Sequence, residues 1–181
     1  MTSLKAFFAI TASLTLTALA GCAGGPTSGP IKTVEYVDLK RFMGDWYVIA
    51  NIPTFIEKGA HNAVEGYRMN EDGSIATTFT FREGGFEGEL QTFKPRGFVL
   101  DRKSNAVWGM QFVWPIRADY RIVWLDEAYS QTVIGRNQRD YVWIMARQPS
   151  IPEDDYRRII DFLAAEGYDT TKIKRVPQRW Q

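Results

Sequence analysis

The chain is poor in the residue types that carry nucleophilic or metal chemistry. It holds one cysteine, Cys22, and one histidine, His61, in 181 residues. A single imidazole cannot form the usual cluster of nitrogen and sulfur ligands around zinc, and no serine-centred or phosphate-cradling motif accompanies it. Glu83, Glu87 and Glu89 lie among Gly-rich turns, a pattern typical of a solvated loop. We therefore expect no enzyme activity, no metal and no cofactor.

Cys22 ends a segment that has the features of a secretory signal. A cationic residue precedes an apolar run at residues 6–19, and small residues separate that run from the cysteine. The sequence Leu-Ala-Gly-Cys at residues 19–22 resembles the lipobox of bacterial lipoproteins, in which the cysteine thiol receives a diacylglycerol. The resemblance implies a signal peptide at residues 1–21 and a lipidated Cys22, which removes this thiol from the candidate nucleophiles.

The anchor also predicts a location. Residues 22–30 are rich in Gly, Pro and Ser and are expected to form a flexible tether. Several acyl chains together hold a protein stably on a bilayer. Ala23 follows the cysteine where lipoproteins of this type carry Asp for inner-membrane retention, so the resemblance implies the outer membrane, on its periplasmic face.

Composition predicts one domain with a large aromatic interior. The 22 basic and 21 acidic residues nearly cancel, so charge gives no argument for nucleic acid. Aromatic residues make up 14% of the chain, with six Trp and eleven Phe. Large flat side chains suit either a packed core or the lining of a cavity. The mature domain is expected to span residues 31–181.

Short strands separated by turn signals follow one another at the even spacing of a barrel or sandwich. A longer loop is expected at residues 53–62, and the predicted strands cover residues 46–51, 64–69, 74–81, 90–100, 106–113, 119–125, 131–135 and 141–147. Pro95 and Gly97 weaken the fourth strand. Eight antiparallel strands are a favourable number for closure around one small ligand.

A C-terminal helix is predicted after the strands. Ser150 and Glu153 form a candidate capping box. Apolar residues recur on one helical face, and Gly167 suits the stop; the apolar positions are Tyr156, Ile159, Ile160 and Leu163. Residues 170–176 could add an edge strand.

Three sequence blocks in order resemble the lipocalin family. Gly-Asp-Trp-Tyr at residues 44–47 looks like the family's first-strand signature, and residues 52–59 are similar to the next loop in the apolipoprotein D and bacterial lipocalin branch. Asp119-Tyr120 with Leu125, Asp126 and Tyr129 resembles the second family region, and residues 140–147 resemble the third. Residues 86–105 carry no family motif.

The resemblance implies an all-β, eight-stranded antiparallel up-and-down β-barrel with a C-terminal α-helix, open at one end. In the family an arginine after the last strand packs over the first-strand tryptophan at the closed end; here these residues are Arg147 and Trp46. The guanidinium over the indole is a structural pair, and we do not assign it to ligand binding.

Strand alternation predicts which side chains line the interior, with the parity of the last strand taken from related proteins. The predicted ligand-binding set is Val48, Ala50, Glu65, Tyr67, Phe79, Trp108, Met110, Phe112, Tyr120, Ile122, Trp124, Tyr141, Trp143 and Met145. Glu65 is the awkward member, because a carboxylate inside an apolar cup is costly unless it is paired. It is either a polar contact for a ligand or, the interpretation we favour, a solvated rim residue or the mark of a register slip.

These features predict an outer-membrane lipoprotein that binds, stores or transports a hydrophobic ligand. By resemblance to bacterial lipocalins, the expected ligand is a fatty acid or lysophospholipid, handled in cell-envelope lipid maintenance. Two alternatives stay open: a filled barrel whose rim docks an envelope protein, and a pigment or haem binder with His61 as its only imidazole. A homodimer is also left open, since some bacterial relatives dimerise.

Overall fold

The computed structural model describes residues 29–180. The predicted signal peptide, Cys22 and most of the tether lie outside the described residues. Within residues 29–180, no helix is long and apolar enough to cross a membrane.

The strands form one closed antiparallel barrel in which the first and last barrel strands pair. The strands are β1 (Gly44–Ile52), β2 (Ala60–Met69), β3 (Ile75–Glu83), β4 (Leu90–Phe93), β5 (Arg96–Val99), β6 (Val107–Val113), β7 (Ile116–Leu125), β8 (Gln131–Gly135), β9 (Val142–Ala146) and β10 (Lys174–Arg175). Both β4 and β5 pair with β3 and together fill one position, so the barrel has eight positions. The predicted eight-stranded barrel with a C-terminal helix is confirmed.

The predicted fourth strand, residues 90–100, is divided in the structure. Pro95 separates β4 from β5 because proline has no amide hydrogen to donate to a ladder. Its carbonyl still accepts a hydrogen bond from the Thr77 amide at 3.2 Å. The two short strands therefore pair with different parts of β3, and the wall bends between them.

Helix α1 (Leu39–Phe42) was not predicted from the sequence. The Asp38 side chain caps it by accepting hydrogen bonds from the amides of Lys40 and Arg41. One turn of helix carries too little periodicity to be detected, yet it buries Phe42 completely at one end of the barrel. It closes what is here called the narrow end; the loops after β1, β3, β6 and β8 surround the opposite, wide end.

Helix α2 (Glu153–Ala165) packs on the outside of the barrel. The predicted capping box is wrong: Pro152 is the N-cap residue and no side chain caps the helix. Three acidic residues in the first turn face the positive end of the helix dipole instead. Gly167 follows the helix at φ +88°. The predicted edge strand is reduced to a 3₁₀ turn and β10, which pairs with Ala50 and Asn51 on β1.

Two β-bulges correct the predicted sorting of side chains. A bulge adds one residue to a strand and so reverses the alternation beyond it. One lies between Val48 and Ala50, the other between Ile122 and Trp124. Ala50 and Trp124 therefore do not face the interior; they join the apolar cluster between the barrel wall and α2.

The narrow end is closed by Arg147 and Trp46. The guanidinium carbon of Arg147 lies 3.7 Å from the centroid of the Trp46 ring system. Its nitrogens donate to backbone carbonyls at 2.7–3.0 Å; these belong to Arg41, Phe42, Met43 and Asp45. Since the last turn of a helix leaves carbonyls without partners, Arg147 ties α1 to the barrel.

Candidate functional site

A cavity of about 610 Å³ opens at the wide end. Its wall comes from the loop after β1 and from the inner faces of the barrel strands, and it is overwhelmingly apolar. A volume of this size is typical of a small-molecule site. The rings below it fill the barrel: Phe42 lies with its centroid 5.0 Å from that of Trp46 and 5.5 Å from that of Trp108.

The structure divides the predicted lining residues into three groups. Seven line the cavity: Glu65, Phe79, Met110, Phe112, Tyr120, Tyr141 and Trp143. Five lie in the inner cluster without lining the cavity: Val48, Tyr67, Trp108, Ile122 and Met145. The remaining two, Ala50 and Trp124, lie outside the barrel for the reason given above.

Several cavity residues were missed from the sequence. Four consecutive residues of the loop after β1 line the mouth: Thr54, Phe55, Ile56 and Glu57. Strand alternation cannot find loop residues, although two adjacent apolar side chains in a predicted loop are a signal that could have been used. Arg136, in the turn after β8, also lines the cavity.

Glu65 is buried and faces the cavity. Its side chain is 9% exposed, so the favoured interpretation of a solvated rim residue is wrong. The Tyr67 hydroxyl donates to Glu65 Oε2, the Tyr120 hydroxyl lies 3.5 Å from the same oxygen, and the two hydroxyls bond each other. Burial raises the pKa of Glu65 to about 7 against these hydrogen bonds, and the charge of Glu57 adds to the rise.

Glu57 anchors the loop over the mouth. Its Oε2 accepts hydrogen bonds from Asn51 Nδ2 at 2.7 Å and from Trp143 Nε1 at 2.9 Å, and its Oε1 accepts from the Thr54 hydroxyl at 2.8 Å. Burial raises the pKa of Glu57, and the three hydrogen bonds oppose that rise. The carboxyl group therefore positions the loop and the Trp143 ring relative to each other.

Arg136 places a cation at the rim of the cavity. Its Nη1 lies 3.2 Å from Asp140 Oδ2, and its guanidinium carbon lies 5.3 Å from the centroid of the Tyr141 ring. Its Nε is buried without a hydrogen-bond partner among residues 29–180. His61, in contrast, does not line the cavity; its ring contacts the Gly59 carbonyl and the Phe86 ring.

A closed antiparallel barrel with an apolar cavity at one end defines a class of proteins that bind small hydrophobic molecules. A family model described as a lipocalin-like domain matches residues 37–178. The chain belongs to this lipocalin family.

Relatives from bacteria and plants align over most of the chain. Outer membrane lipoprotein Blc of Vibrio cholerae is 26% identical over 97% of this chain and 100% of its own length. Blc of Escherichia coli K12 is 25% identical over 87% of this chain and 88% of its own length, and temperature-induced lipocalin-1 of Arabidopsis thaliana is 28% identical over 82% and 83%.

Solved structures support the fold. Insecticyanin from the tobacco hornworm superposes with a TM-score of 0.64 at 12% identity, covering 84% of this chain and 86% of its own. At that identity the likeness concerns the fold alone. Lipocalins are in general binding and transport proteins, in agreement with an apolar cavity as the main feature of this site.

Proposed function

We propose that this protein is an outer-membrane-anchored lipocalin that binds, stores or transports a fatty acid or lysophospholipid in cell-envelope lipid maintenance. The observation that carries the proposal is the apolar cavity of about 610 Å³ with a single cation, Arg136, among the residues that line it. An acyl chain gains free energy by leaving water for such a lining. An anionic headgroup left at the rim has Arg136 as its partner.

The course of the N-terminal segment supports a mouth that faces the anchoring membrane. Arg139 Nη2 donates to the Gly29 carbonyl at 3.2 Å, and the Ile31 amide donates to Asn137 Oδ1 at 3.1 Å. Both partners lie in the turn after β8, which also supplies Arg136 to the cavity. The described chain therefore starts beside the wide end, and the seven Cα–Cα steps from Cys22 to Gly29 span at most about 25 Å.

Exposed apolar side chains at the same end support this orientation. Trp114, in the turn between β6 and β7, is 82% exposed, and Ile116, the first residue of β7, is 70% exposed. Phe55 on the loop after β1 is 83% exposed. A cluster of this kind marks a surface that meets another apolar phase, and tryptophan favours the membrane interface. The occupant that we assign to it is the lipid leaflet that carries the anchor.

The ligand proposal is tested with a variant that blocks the cavity. Ala118 lines the cavity, so Ala118→Phe fills part of it, whereas Ala164 lies on the exposed face of α2 and Ala164→Phe is the matched control. The full chain is purified from membranes, and bound lipid is identified by mass spectrometry. We expect one fatty acid or lysophospholipid per chain in the wild type and the control, and a loss of at least tenfold in Ala118→Phe. Equal lipid in all three proteins, or none in any, would refute the proposal.

The anchor and the rim are tested separately. Cys22→Ser should abolish incorporation of labelled palmitate and release the protein from the outer-membrane fraction, whereas Ser28→Ala should do neither.

On the Cys22→Ser background, replacing Trp114 and Ile116 by serine should reduce co-sedimentation with vesicles of phosphatidylethanolamine and phosphatidylglycerol. Unchanged sedimentation would remove the leaflet as the occupant of the rim.

A further inference from the structure

The interior of the cavity contains an acceptor that the protein itself does not use. Glu65 lies on β2 opposite Trp46 on β1 and Phe79 on β3, well inside the barrel. Both tyrosine hydroxyls of the cluster approach its Oε2. Both hydrogen bonds of its carboxyl group among residues 29–180 go to Oε2, none goes to Oε1, and the residue lines the cavity. A carboxyl group keeps acceptor capacity whether it is ionised or protonated, so this oxygen can accept a hydrogen bond from a ligand.

The cluster has no further hydrogen to give to Oε1. Burial raises the pKa of Tyr67 and of Tyr120 well above the usual value, so both hydroxyls keep their hydrogens. One of these hydrogens is given to Glu65 Oε2, and the other joins the two hydroxyls or the same carboxyl oxygen. A partner for Oε1 must therefore come from outside the protein, either from water or from a ligand that displaces it.

The chemistry of that partner is restricted by charge. A carboxylate or phosphate at this depth would meet Glu65 and Glu57 and no cation, because Arg136 lies at the rim and is paired with Asp140. An ammonium group would have to leave water for an apolar cavity, which is costly. A hydroxyl is neutral and both donates and accepts. It therefore bonds Oε1 whether the carboxyl group is ionised or protonated, which matters for a group that titrates close to neutral pH.

The geometry points to a hydroxylated acyl chain as the ligand class, with its anionic group at Arg136 and its chain hydroxyl on Glu65 Oε1. This inference rests on the proposed function and narrows it. Two fixed polar contacts at different depths, separated by an apolar wall, would select one position of the hydroxyl along the chain. Tyr67 and Tyr120 act as positioning residues, since they hold the carboxyl group by its other oxygen.

The experiment compares hexadecanoate with hydroxyhexadecanoates that carry the hydroxyl at carbon 3, 8, 12 or 16. Dissociation constants are measured by isothermal titration calorimetry on the full-length Cys22→Ser chain after removal of bound lipid. One positional isomer should bind about tenfold more tightly than hexadecanoate, the effect expected of one hydrogen bond to a carboxyl group. The preference should hold at pH 6 and at pH 8, since a hydroxyl suits both forms of Glu65.

Variants separate the subsite from general binding. Glu65→Met, which keeps the length of the side chain but cannot hydrogen-bond a hydroxyl, should lose most of the preference while still binding hexadecanoate. Tyr120→Phe, which keeps the ring, should reduce the preference if Glu65→Met does not fold. The control is Glu89→Met, at an exposed glutamate in the turn before β4. If hexadecanoate binds and no isomer is preferred, or if the preference survives in Glu65→Met, this inference fails and the proposed function stands. Tighter binding of hexadecylamine than of every hydroxy acid would also overturn it. If none of these probes binds, and a palmitoyl lysophospholipid does not bind either, the proposed function fails as well.

Discussion

The two ends of the barrel use the same residue types under opposite conditions. At the narrow end Trp46 is fully buried and donates its indole hydrogen to the Phe42 carbonyl at 2.9 Å, and Arg147 donates to several carbonyls. At the wide end Trp114 is almost fully exposed, and Arg136 has a nitrogen without a partner among the described residues. The polar groups of Trp46 and Arg147 at the narrow end are occupied by the protein, whereas at the wide end Arg136 keeps one nitrogen without a partner among the described residues and lines an open cavity.

This contrast explains how one small barrel can be both stable and able to bind. The free energy of folding depends on buried rings and satisfied hydrogen bonds, which the narrow end concentrates around Phe42, Trp46 and Trp108. A site needs unfilled volume and unpaired polar atoms, and both reduce stability. Because the two requirements are met at opposite ends, substitutions at the narrow end should leave ligand affinity nearly unchanged. Substitutions at the wide end should leave the free energy of unfolding nearly unchanged.

The largest effect is expected from removing a tryptophan at the narrow end. Trp46→Ala should lower the free energy of unfolding by about 4 kcal/mol, since it empties a fully buried ring site. Trp114→Ala should change it by less than about 0.5 kcal/mol, because that ring makes few contacts. Urea unfolding followed by far-ultraviolet circular dichroism measures both values. Trp46→Phe keeps part of the packing and serves if the alanine variant does not fold; similar losses at the two positions would contradict the contrast.

A smaller but still large effect is expected at Arg147. Arg147→Ala removes the contact with the Trp46 ring and several hydrogen bonds to carbonyls at the end of α1. We expect a loss of about 3 kcal/mol with ligand affinity nearly unchanged. Arg147→Lys keeps the charge but cannot span the same carbonyls, so it should recover little of the loss. Reduced affinity at unchanged stability would show that the narrow end takes part in binding.

Regular alternation, turn signals and helical periodicity predicted the strands and the helix, and the resemblance to the lipocalin family implied the closed barrel and the narrow-end pair. They failed where the chain departs from a regular period. Bulges after Val48 and Ile122 moved Ala50 and Trp124 to the outer cluster, and nothing in the residue types marks a bulge in advance. The cavity residues of the loop after β1 were missed because strand alternation makes no prediction for the side chains of a loop.

The acceptor in the cavity could be predicted only in part. Parity placed Glu65 inside, but the hydrogen bonds from Tyr67 and Tyr120 depend on pairing between strands far apart in the chain. The sequence alone could not distinguish this arrangement from a register slip. Burial of a carboxyl group is therefore a property of the assembled barrel, and its energetic consequences can be measured there.

Glu65 should make stability depend on pH in a direction opposite to that of surface aspartates. Its pKa is about 7 in the folded state against 4.5 for an unperturbed glutamate, so the folded state binds more protons between these values. The free energy of unfolding should then fall as pH rises from about 4.5 to about 7 and level off above that. Glu65 is faced by Glu57, Tyr67 and Tyr120. The pKa of Glu57 is also raised by burial, so this group too lowers the free energy of unfolding as pH rises.

Glu65→Gln isolates this contribution. The variant should be more stable than the wild type at pH 8 by about 2 kcal/mol, with little difference at pH 4.5. Glu89→Gln, at the exposed turn, should leave the pH profile as it is. Hydrogen bonds with Ser74 lower the pKa of Asp72. Protonation of Asp72 therefore reduces stability only below about pH 4, outside the range in which Glu65 titrates. A wild-type profile that rises between pH 5 and pH 7 would contradict the burial of Glu65.

The smallest effect is expected at Thr77, and it tests whether a buried polar atom without a partner can lie inside the barrel and take no part in ligand binding. The Thr77 hydroxyl is buried on the inner face of β3 without a partner among residues 29–180, opposite Tyr67 on β2, and it does not line the cavity. Thr77→Val keeps the shape and removes the unpaired group, so it should stabilise the fold by up to about 1 kcal/mol without changing ligand affinity. Thr78→Val, on the exposed face of the same strand, should change stability by less than about 0.5 kcal/mol. A loss of affinity in Thr77→Val would extend the binding region past the cavity wall into the ring cluster, and the separation of the two ends would then be less complete than the hydrogen bonds indicate.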